Sequence, residues 1–360
     1  MELSVRSDQL MSMHRVMHDV PKEDPTAVKL AYRTRRFARL CSELSLSSTT
    51  TELKAKIINE VDEYFCEPLE LIYAAENSNI LNLLTKQIRQ DPQLLRVLSS
   101  NALLKAFGER STRKKLIELD AVPICFYLIN DPEPKLRLNI HSMILIASQD
   151  SKDTIYICNK ERLEKIMEQI KLEYTSRNDQ HLFVLLKTLK QTLITPGVSE
   201  ILLEINLLNL LFEMLYKLKP LQFQTVLDIL AEFTYPSANR TASVQFGLYK
   251  EATALIALCQ KNEELLTPLL ALLSNMSKIV VAKQHFVNAQ LIPQVLKALH
   301  NFESEYLWLP AIMLLSSLAE DGNAKVQLKP HTKFFESLAD KAPDLKENID
   351  FLIKVLYWTP

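Results

Sequence analysis

The sequence predicts an all-α protein built as a helical solenoid of about six to seven repeats. Apolar residues recur at helical spacing along the chain, and the ends of the predicted helices recur at a nearly constant period. The 360 residues include only four glycines, which disfavours a sheet-rich or nucleotide-loop fold. A solenoid also explains the length without a linker, because each repeat buries its apolar faces only against its neighbours.

The clearest repeats lie between residues 221 and 299. Two predicted helices in this stretch have apolar residues at i, i+3, i+4 and i+7, which is one face of an α-helix. In the first helix these residues are Phe223, Val226, Leu227 and Leu230, and in the second they are Leu266, Leu269, Leu270 and Leu273. The second helix is apolar around most of its circumference, so we expect it to be buried between neighbouring helices.

The long helix of each repeat defines the period. Aligned by their predicted ends, the helices have equivalent positions at Ala106, Ile146, Gln191, Glu232, Asn275 and Ser317. These positions are 40, 45, 41, 43 and 42 residues apart. Such spacing lies in the range of helical repeats of about 40–47 residues and indicates a repeat with small insertions.

The pattern divides the chain into three parts. We expect a tail and capping helix over residues 1–51, repeats over residues 52–346, and a capping helix over residues 347–360. The first helix carries Arg35, Arg36 and Arg39 on its polar side, where they form a candidate patch for binding an acidic protein surface. The alternative is a solvated face on a terminal cap, which solenoids need to remain in solution.

Composition and charge exclude several classes of function. The chain has 42 Lys and Arg against 43 Asp and Glu, a net charge of −1, so nucleic acid and acidic membranes are not expected as partners. No apolar run reaches the length of a membrane span, and residues 1–20 do not look like a signal peptide. The five scattered cysteines are typical of reduced core residues, so we expect a cytoplasmic protein.

No group of residues in the sequence predicts catalysis or a cofactor. The chain has no glycine-rich phosphate loop, nucleophile elbow, His-Glu-x-x-His or Cys-x-x-Cys pattern. His14 and His18 have a spacing that could share a metal, but no third ligand is nearby, so we predict no metal site. His141 and His181 each fall on a predicted long helix, at a groove or a core edge. We therefore expect no enzymatic activity.

Several short segments resemble the armadillo family. They are Asp120-Ala121-Val122-Pro123 at a helix start, the turn Asn130-Asp131-Pro132-Glu133, and the helix end Leu272-Leu273-Ser274-Asn275-Met276-Ser277. The resemblance covers roughly residues 90–346 and implies a right-handed armadillo/HEAT-like solenoid. It also implies a scaffold that binds other proteins through the concave face of its long helices.

The sequence departs from two branches of that family. Nuclear-import armadillo proteins carry a row of asparagines and tryptophans along the concave helices, where they hold an extended peptide. At the equivalent positions of this chain only Asn275 is an asparagine, and no matching row of tryptophans occurs. An import-receptor function is therefore not expected, and neither is a strongly basic groove like that of β-catenin.

Two further regions resemble armadillo-type radial spoke head proteins of motile cilia. One runs from Leu128-Ile129-Asn130-Asp131-Pro132 to Asn139-Ile140-His141, and the other includes Phe334-Phe335-Glu336-Ser337-Leu338. This resemblance implies a structural part of the ciliary axoneme. The alternatives are a general cytosolic armadillo adaptor, or a cofactor that accelerates nucleotide exchange on a chaperone.

Helix phase selects candidate contact residues beside the core stripe of the long helices. They are His141, Lys187, Gln191, Asp228, Glu232 and Asn275. We expect these side chains to be accessible and to contact other proteins, and the second resemblance implies that these partners are axonemal. Phe302, Tyr306 and Trp308 form an aromatic cluster that could anchor a partner, but aromatic residues at helical spacing in a solenoid are more often part of the core.

Overall fold

The computed structural model describes residues 37–358, with the side chain of Ser151 excepted. The chain forms two compact units, residues 1–140 and residues 141–360, and the boundary falls within one helix. Arg35 and Arg36 of the predicted arginine patch lie outside the described residues. None of the helices in the described part is long and apolar enough to cross a membrane.

The described part of the first unit begins at residue 37 and consists of helices joined by short turns. Residues 37–45 are helical and precede the first of its labelled helices. These helices are α1 (Thr51–Tyr64), α2 (Pro68–Asn77), α3 (Ile80–Gln87), α4 (Gln93–Gly108), α5 (Arg110–Glu118), α6 (Ala121–Tyr127) and α7 (Pro134–Ser148), of which α7 contains the boundary. Helix α4 packs on α1 and α3, which surrounds its apolar side chains with neighbours.

Local sequence determines where helices of the first unit begin. Before α1, the Thr50 hydroxyl accepts a hydrogen bond of 3.3 Å from the amide of Leu53. This bond satisfies one of the backbone donors that a helix start leaves without a partner. Pro68 occupies the first position of α2, where a missing N–H costs nothing.

The second unit continues the same alternation of short and long helices. In chain order they are α8 (Ser151–Thr154), α9 (Lys160–Thr175), α10 (Asp179–Thr192), α11 (Val198–Glu204), α12 (Leu207–Met214), α13 (Pro220–Phe233), α14 (Ser237–Phe246), α15 (Leu248–Cys259), α16 (Glu263–Met276), α17 (Val280–Asn288), α18 (Leu291–Asn301), α19 (Glu305–Leu318), α20 (Gly322–Leu328), α21 (Thr332–Lys341) and α22 (Lys346–Tyr357). Short 3₁₀ turns at Lys329–His331 and Pro343–Leu345 flank α21.

Turn chemistry separates the helices of this unit. The Asn159 and Asn262 side chains cap α9 and α16 by accepting from the amides of Arg162 and Leu265, at 2.9 and 3.3 Å. Gly247 ends α14 and precedes α15 with φ of 91°, a left-handed conformation that glycine adopts without steric cost. These signals are local, so the sequence determines them before any tertiary contact forms.

The long helices of the second unit pack in sequence. Helix α10 contacts α13, α13 contacts α16, α16 contacts α19, and α19 contacts α22. Leucines at the predicted core positions, such as Leu185, Leu230 and Leu269, are almost fully buried in this row. The aligned positions of the sequence, from Ala106 to Ser317, each lie one or two residues before the end of a long helix. The predicted period and the all-α solenoid class are therefore confirmed.

Candidate protein-binding face

In the row of long helices, α10, α13, α16 and α19 each leave one side uncovered, at equivalent positions of the repeat. We call the surface formed by these four sides the ladder face. Its residues are Phe183, Lys187 and Gln191 of α10, Gln224, Asp228 and Glu232 of α13, Thr267 and Ala271 of α16, and Tyr306, Leu309 and Met313 of α19. All are exposed or half-buried, and within each helix they are three or four residues apart. Side chains at that spacing lie on the same side of a helix.

The α10 part of the ladder face is cationic and aromatic. Lys187 is exposed, and its ammonium nitrogen lies 4.4 Å from the centroid of the Phe183 ring. A cation at this distance is attracted to the ring, which orients the lysine on the surface. Gln191 is half-buried one turn further along. Both candidate residues are accessible, and partner binding through them stays a prediction.

The α13 part is anionic. Asp228 is half-buried and accepts a hydrogen bond of 2.7 Å from the ammonium of Lys190 on α10. Glu232 is exposed one turn further along. Lys187 and Glu232 therefore leave opposite charges on neighbouring helices of the same face.

Polar bonds also join α10 and α13 at their first turns. The side-chain amide of Gln222 donates to the backbone oxygen of Asp179 at 2.9 Å, and Lys219 forms an ion pair with the same residue. Hydrogen bonds from Lys219 and Gln222 lower the pKa of the Asp179 carboxyl. The two helices that carry the charged half of the ladder face are thus connected at their first turns and by the pair of Lys190 and Asp228.

Asn275 corrects one of the predicted contact positions. Its side chain is buried, and its amide nitrogen donates to the backbone oxygen of Ala231 at 2.9 Å and to the Thr234 hydroxyl at 3.4 Å. Helix phase places Asn275 beside the core stripe, but the end of α13 covers it. The asparagine therefore stabilises the contact between α13 and α16 and is not accessible on the ladder face.

His141 also differs from the expected accessible position. Its side chain is fully buried, and its ring lies against that of His181 with 5.4 Å between centroids, in an edge-to-face arrangement at 88°. Helix periodicity identifies the side of α7 on which His141 lies, but it does not reveal that α10 covers that side. The burial of both histidines places them inside the second unit.

The arginine patch is described only in part. Arg39 is exposed, and its Nε donates to the Glu43 carboxylate at 2.7 Å, one helical turn away. Exposed ion pairs of this kind contribute about 0–1 kcal/mol to stability. A binding role for the patch stays a prediction.

Sequence reasoning missed the apolar end of the ladder face. Tyr306, expected in the core, is instead 86% exposed, and Leu309 and Met313 are 39% and 38% exposed on α19. Trp308 is buried as expected, and its indole nitrogen donates to the backbone oxygen of Phe302 at 2.7 Å. The signal was present in the spacing, because Tyr306, Leu309 and Met313 recur at i, i+3 and i+7 on the side opposite the buried leucines.

Comparisons with known proteins define the class of fold. No family model matches the chain, and no curated protein sequence matches it. The chain is similar in structure to an engineered protein with a TM-score of 0.74 and 14% identity, over 90% of this chain and 78% of that one. It is also similar, with a TM-score of 0.72 and 14% identity, to a structure concerning a phosphorylation switch in the interaction between cadherin and β-catenin. That match covers 95% of this chain and 62% of the other.

A third similar structure is a designed armadillo repeat protein in complex with the peptide (KR)4. Its TM-score is 0.57 at 14% identity, over 66% of this chain and 99% of that one. At such low identity these likenesses concern the fold alone. They establish an armadillo-repeat type of architecture, which is consistent with a scaffold for protein interactions.

Proposed function

We propose that this protein is a non-catalytic scaffold that binds other proteins through the ladder face, as a structural component of the ciliary axoneme. The observation that carries the scaffold role is the row of four packed helices with accessible residues at matched positions. A rigid surface of this kind binds without losing much conformational freedom, which favours affinity.

The chemistry of the ladder face supports a protein partner. It changes from charged on α10 and α13, through Thr267 and Ala271 on α16, to apolar on α19. Small residues on α16 leave room for a partner to approach the helix closely. Exposed tyrosine and methionine next to aliphatic groups are typical of protein interfaces. A partner segment with an apolar end and a charged end would match this gradient.

The axonemal assignment rests on the sequence resemblance to radial spoke head proteins. That resemblance includes Asp131 and the segment from Phe334 to Leu338. In a radial spoke the protein would be a structural part that connects other subunits, with no chemistry of its own. The comparisons with solved structures support the fold that this role needs.

The test places the full chain, with a fluorescent tag, in ciliated cells and compares three versions. The first is the unchanged sequence, the second reverses two charges of the ladder face (Lys187→Glu with Glu232→Lys), and the third reverses Lys297, an exposed residue of α18 outside the face. We expect the unchanged chain and the Lys297→Glu control to remain on detergent-extracted axonemes. The double variant keeps the net charge of the chain. If the opposite charges of Lys187 and Glu232 position the partner, the amount of double variant retained on axonemes should be at least about tenfold lower than that of the unchanged chain.

Two outcomes would separate the parts of the proposal. A diffuse signal in cells with normal cilia would reject the axonemal role and leave a general adaptor or chaperone cofactor as alternatives. Retention of the double variant equal to that of the unchanged chain would reject the charged half of the ladder face as the contact. Variants of Tyr306 and Met313 would then test the apolar half.

A further inference from the structure

Three ligand-type side chains meet inside the second unit. They are His141 of α7, Glu173 of α9 and His181 of α10, and one nitrogen or oxygen from each lies within 4.8 Å of the others. His141 and Glu173 are fully buried, and His181 is 9% exposed. Neither the ladder face nor the repeat pattern requires this combination, since equivalent core positions elsewhere are mostly leucine and isoleucine.

The carboxylate is the unusual member of the cluster. Glu173 is the one buried carboxylate among the described residues of the second unit. Residues near it in sequence, Ile170, Leu182 and Leu185, are buried and apolar. Burying a carboxylate away from water is costly unless a positive charge and hydrogen bonds compensate. One carboxylate oxygen accepts a hydrogen bond of 2.6 Å from the side-chain amide of Asn178, and the other lies 3.6 Å from Nδ1 of His181.

We propose that His141, Glu173 and His181 bind a divalent transition metal, with zinc as the best match. Zinc accepts imidazole nitrogen and carboxylate oxygen at about 2.0–2.2 Å, so tetrahedral ligand atoms are roughly 3.3 Å apart. The present separations of up to 4.8 Å need only small side-chain rotations to reach that geometry. Magnesium and calcium prefer all-oxygen sites, and two imidazoles therefore select against them.

The hydrogen bond from Asn178 strengthens this assignment. Residues that bind a metal are commonly held by a second group that fixes their orientation. Asn178 holds Oε2 of Glu173, which leaves Oε1 directed toward His181. The turn that brings Asn178 there includes Arg177, whose φ of 58° reverses the chain between α9 and α10.

The burial of the cluster assigns the metal a structural role. The ligands come from three helices, so a bound ion would connect α7, α9 and α10 within the second unit. The His181 side chain is 11% exposed, so a water molecule on that side would complete the coordination. A substrate has no comparable access to fully buried His141 and Glu173.

The test uses the purified full chain, treated with a chelator and titrated with zinc by calorimetry. We expect one high-affinity equivalent, and cobalt(II) added in its place should give the visible absorption of a tetrahedral site. His141→Gln, His181→Gln and Glu173→Gln each remove a direct ligand. Loss of a residue that only orients a ligand typically weakens metal binding by about 10- to 100-fold. Each of these three variants should weaken zinc binding by more than that.

Two control variants distinguish this site from adventitious binding. His300→Gln changes an exposed histidine of α18, and His14→Gln with His18→Gln removes the pair that has metal-like spacing in the sequence. Both should bind zinc as the unchanged chain does. If the zinc equivalent disappears with His14 and His18 and survives in Glu173→Gln, the proposal is wrong.

A measurement on the unchanged chain covers the case in which buried-ligand variants fail to fold. X-ray absorption at the zinc edge should show two imidazoles and further oxygen ligands, with no sulfur. A zinc shell containing sulfur, a shell with fewer than two imidazoles, or a dissociation constant weaker than about 100 μM would overturn the assignment. That dissociation constant corresponds to a binding free energy of about 5.5 kcal/mol.

Discussion

Two buried carboxylates, one in each unit, have different partners. In the first unit, Asp131 forms an ion pair with Arg96, with side chains 5% and 15% exposed, and also accepts from the amide of Glu133 at 3.0 Å. In the second unit, Glu173 is surrounded by two histidines and Asn178. Arginine is charged at every relevant pH, whereas histidine is either charged or neutral and, when neutral, binds metals.

The difference indicates what each cluster is suited to do. Arg96 also donates to the backbone oxygen of Ile88 at 3.2 Å, so its guanidinium connects two segments and Asp131 in a fixed arrangement. Such a pair stabilises one geometry and leaves no position for a ligand. The histidine cluster contains donors that a cation can organise, and its charge balance depends on what is bound.

The largest expected effect on stability comes from removing the permanent positive charge of Arg96. Arg96→Met leaves the Asp131 carboxylate buried without its cation, which should lower the free energy of unfolding by about 3–5 kcal/mol. Urea unfolding followed by circular dichroism measures this loss. Adding Asp131→Asn in the same chain should recover part of it, because the buried charge is then gone. A loss below about 1 kcal/mol would show that the pair is not a buried one in solution.

Zinc should act on the second cluster alone. At a free zinc concentration of 100 times Kd, the unfolding free energy should rise by about 2.7 kcal/mol, because zinc binds the folded chain selectively. The rise should be absent in Glu173→Gln and present in Arg96→Met, measured by the same urea unfolding. An equal rise in Glu173→Gln would mean that zinc acts elsewhere and would remove the proposed contrast between the two carboxylates.

Asn178→Ala should have an effect on stability between those of the variants above and below. It tests whether Asn178 holds the Glu173 carboxylate in position before the metal binds. Losing one hydrogen bond to a buried carboxylate should lower the unfolding free energy by about 1–3 kcal/mol in the presence of a chelator. Zinc affinity measured by calorimetry should fall about tenfold or more. The side chain of Asn178 makes no capping bond to α10, so the helix start is not itself disrupted. Unchanged zinc affinity would contradict an orienting role.

The exposed ion pair between Lys190 and Asp228 should have the smallest effect. Their side chains are 41% and 24% exposed, so water and salt screen the attraction. Lys190→Ala should lower the unfolding free energy by about 0–1 kcal/mol, and the change should shrink as salt is added. Thermal unfolding at low and high salt measures this dependence. If Lys190→Ala lowered the unfolding free energy as much as Arg96→Met does, solvent exposure would not explain the difference between the two ion pairs.

Much of the fold could be predicted from local pattern. Apolar periodicity located the long helices, and the period placed Gln191, Glu232 and Asn275 next to helix ends, as the structure has them. This succeeds because helical spacing and capping depend on residues within a few positions of each other. The same pattern also placed Lys187 and Glu232 on accessible surfaces.

The candidate site was less predictable because exposure depends on the neighbouring repeat. Asn275 and Lys187 both flank a core stripe, yet the end of α13 covers one and leaves the other in solvent. The cluster of His141, Glu173 and His181 was missed for the same reason. His141 and His181 are 40 residues apart, about one repeat, and this coincidence was the available signal.

The sequence by itself determined the helices, their period and the net charge of −1, since each follows from residue type and spacing along the chain. Only the tertiary structure decided which polar residues are accessible and which side chains meet. Helix phase gives the direction of a side chain within its own helix, but a contact also requires the position and rotation of the helix opposite. Those depend on how the turns and all the packed side chains fit together.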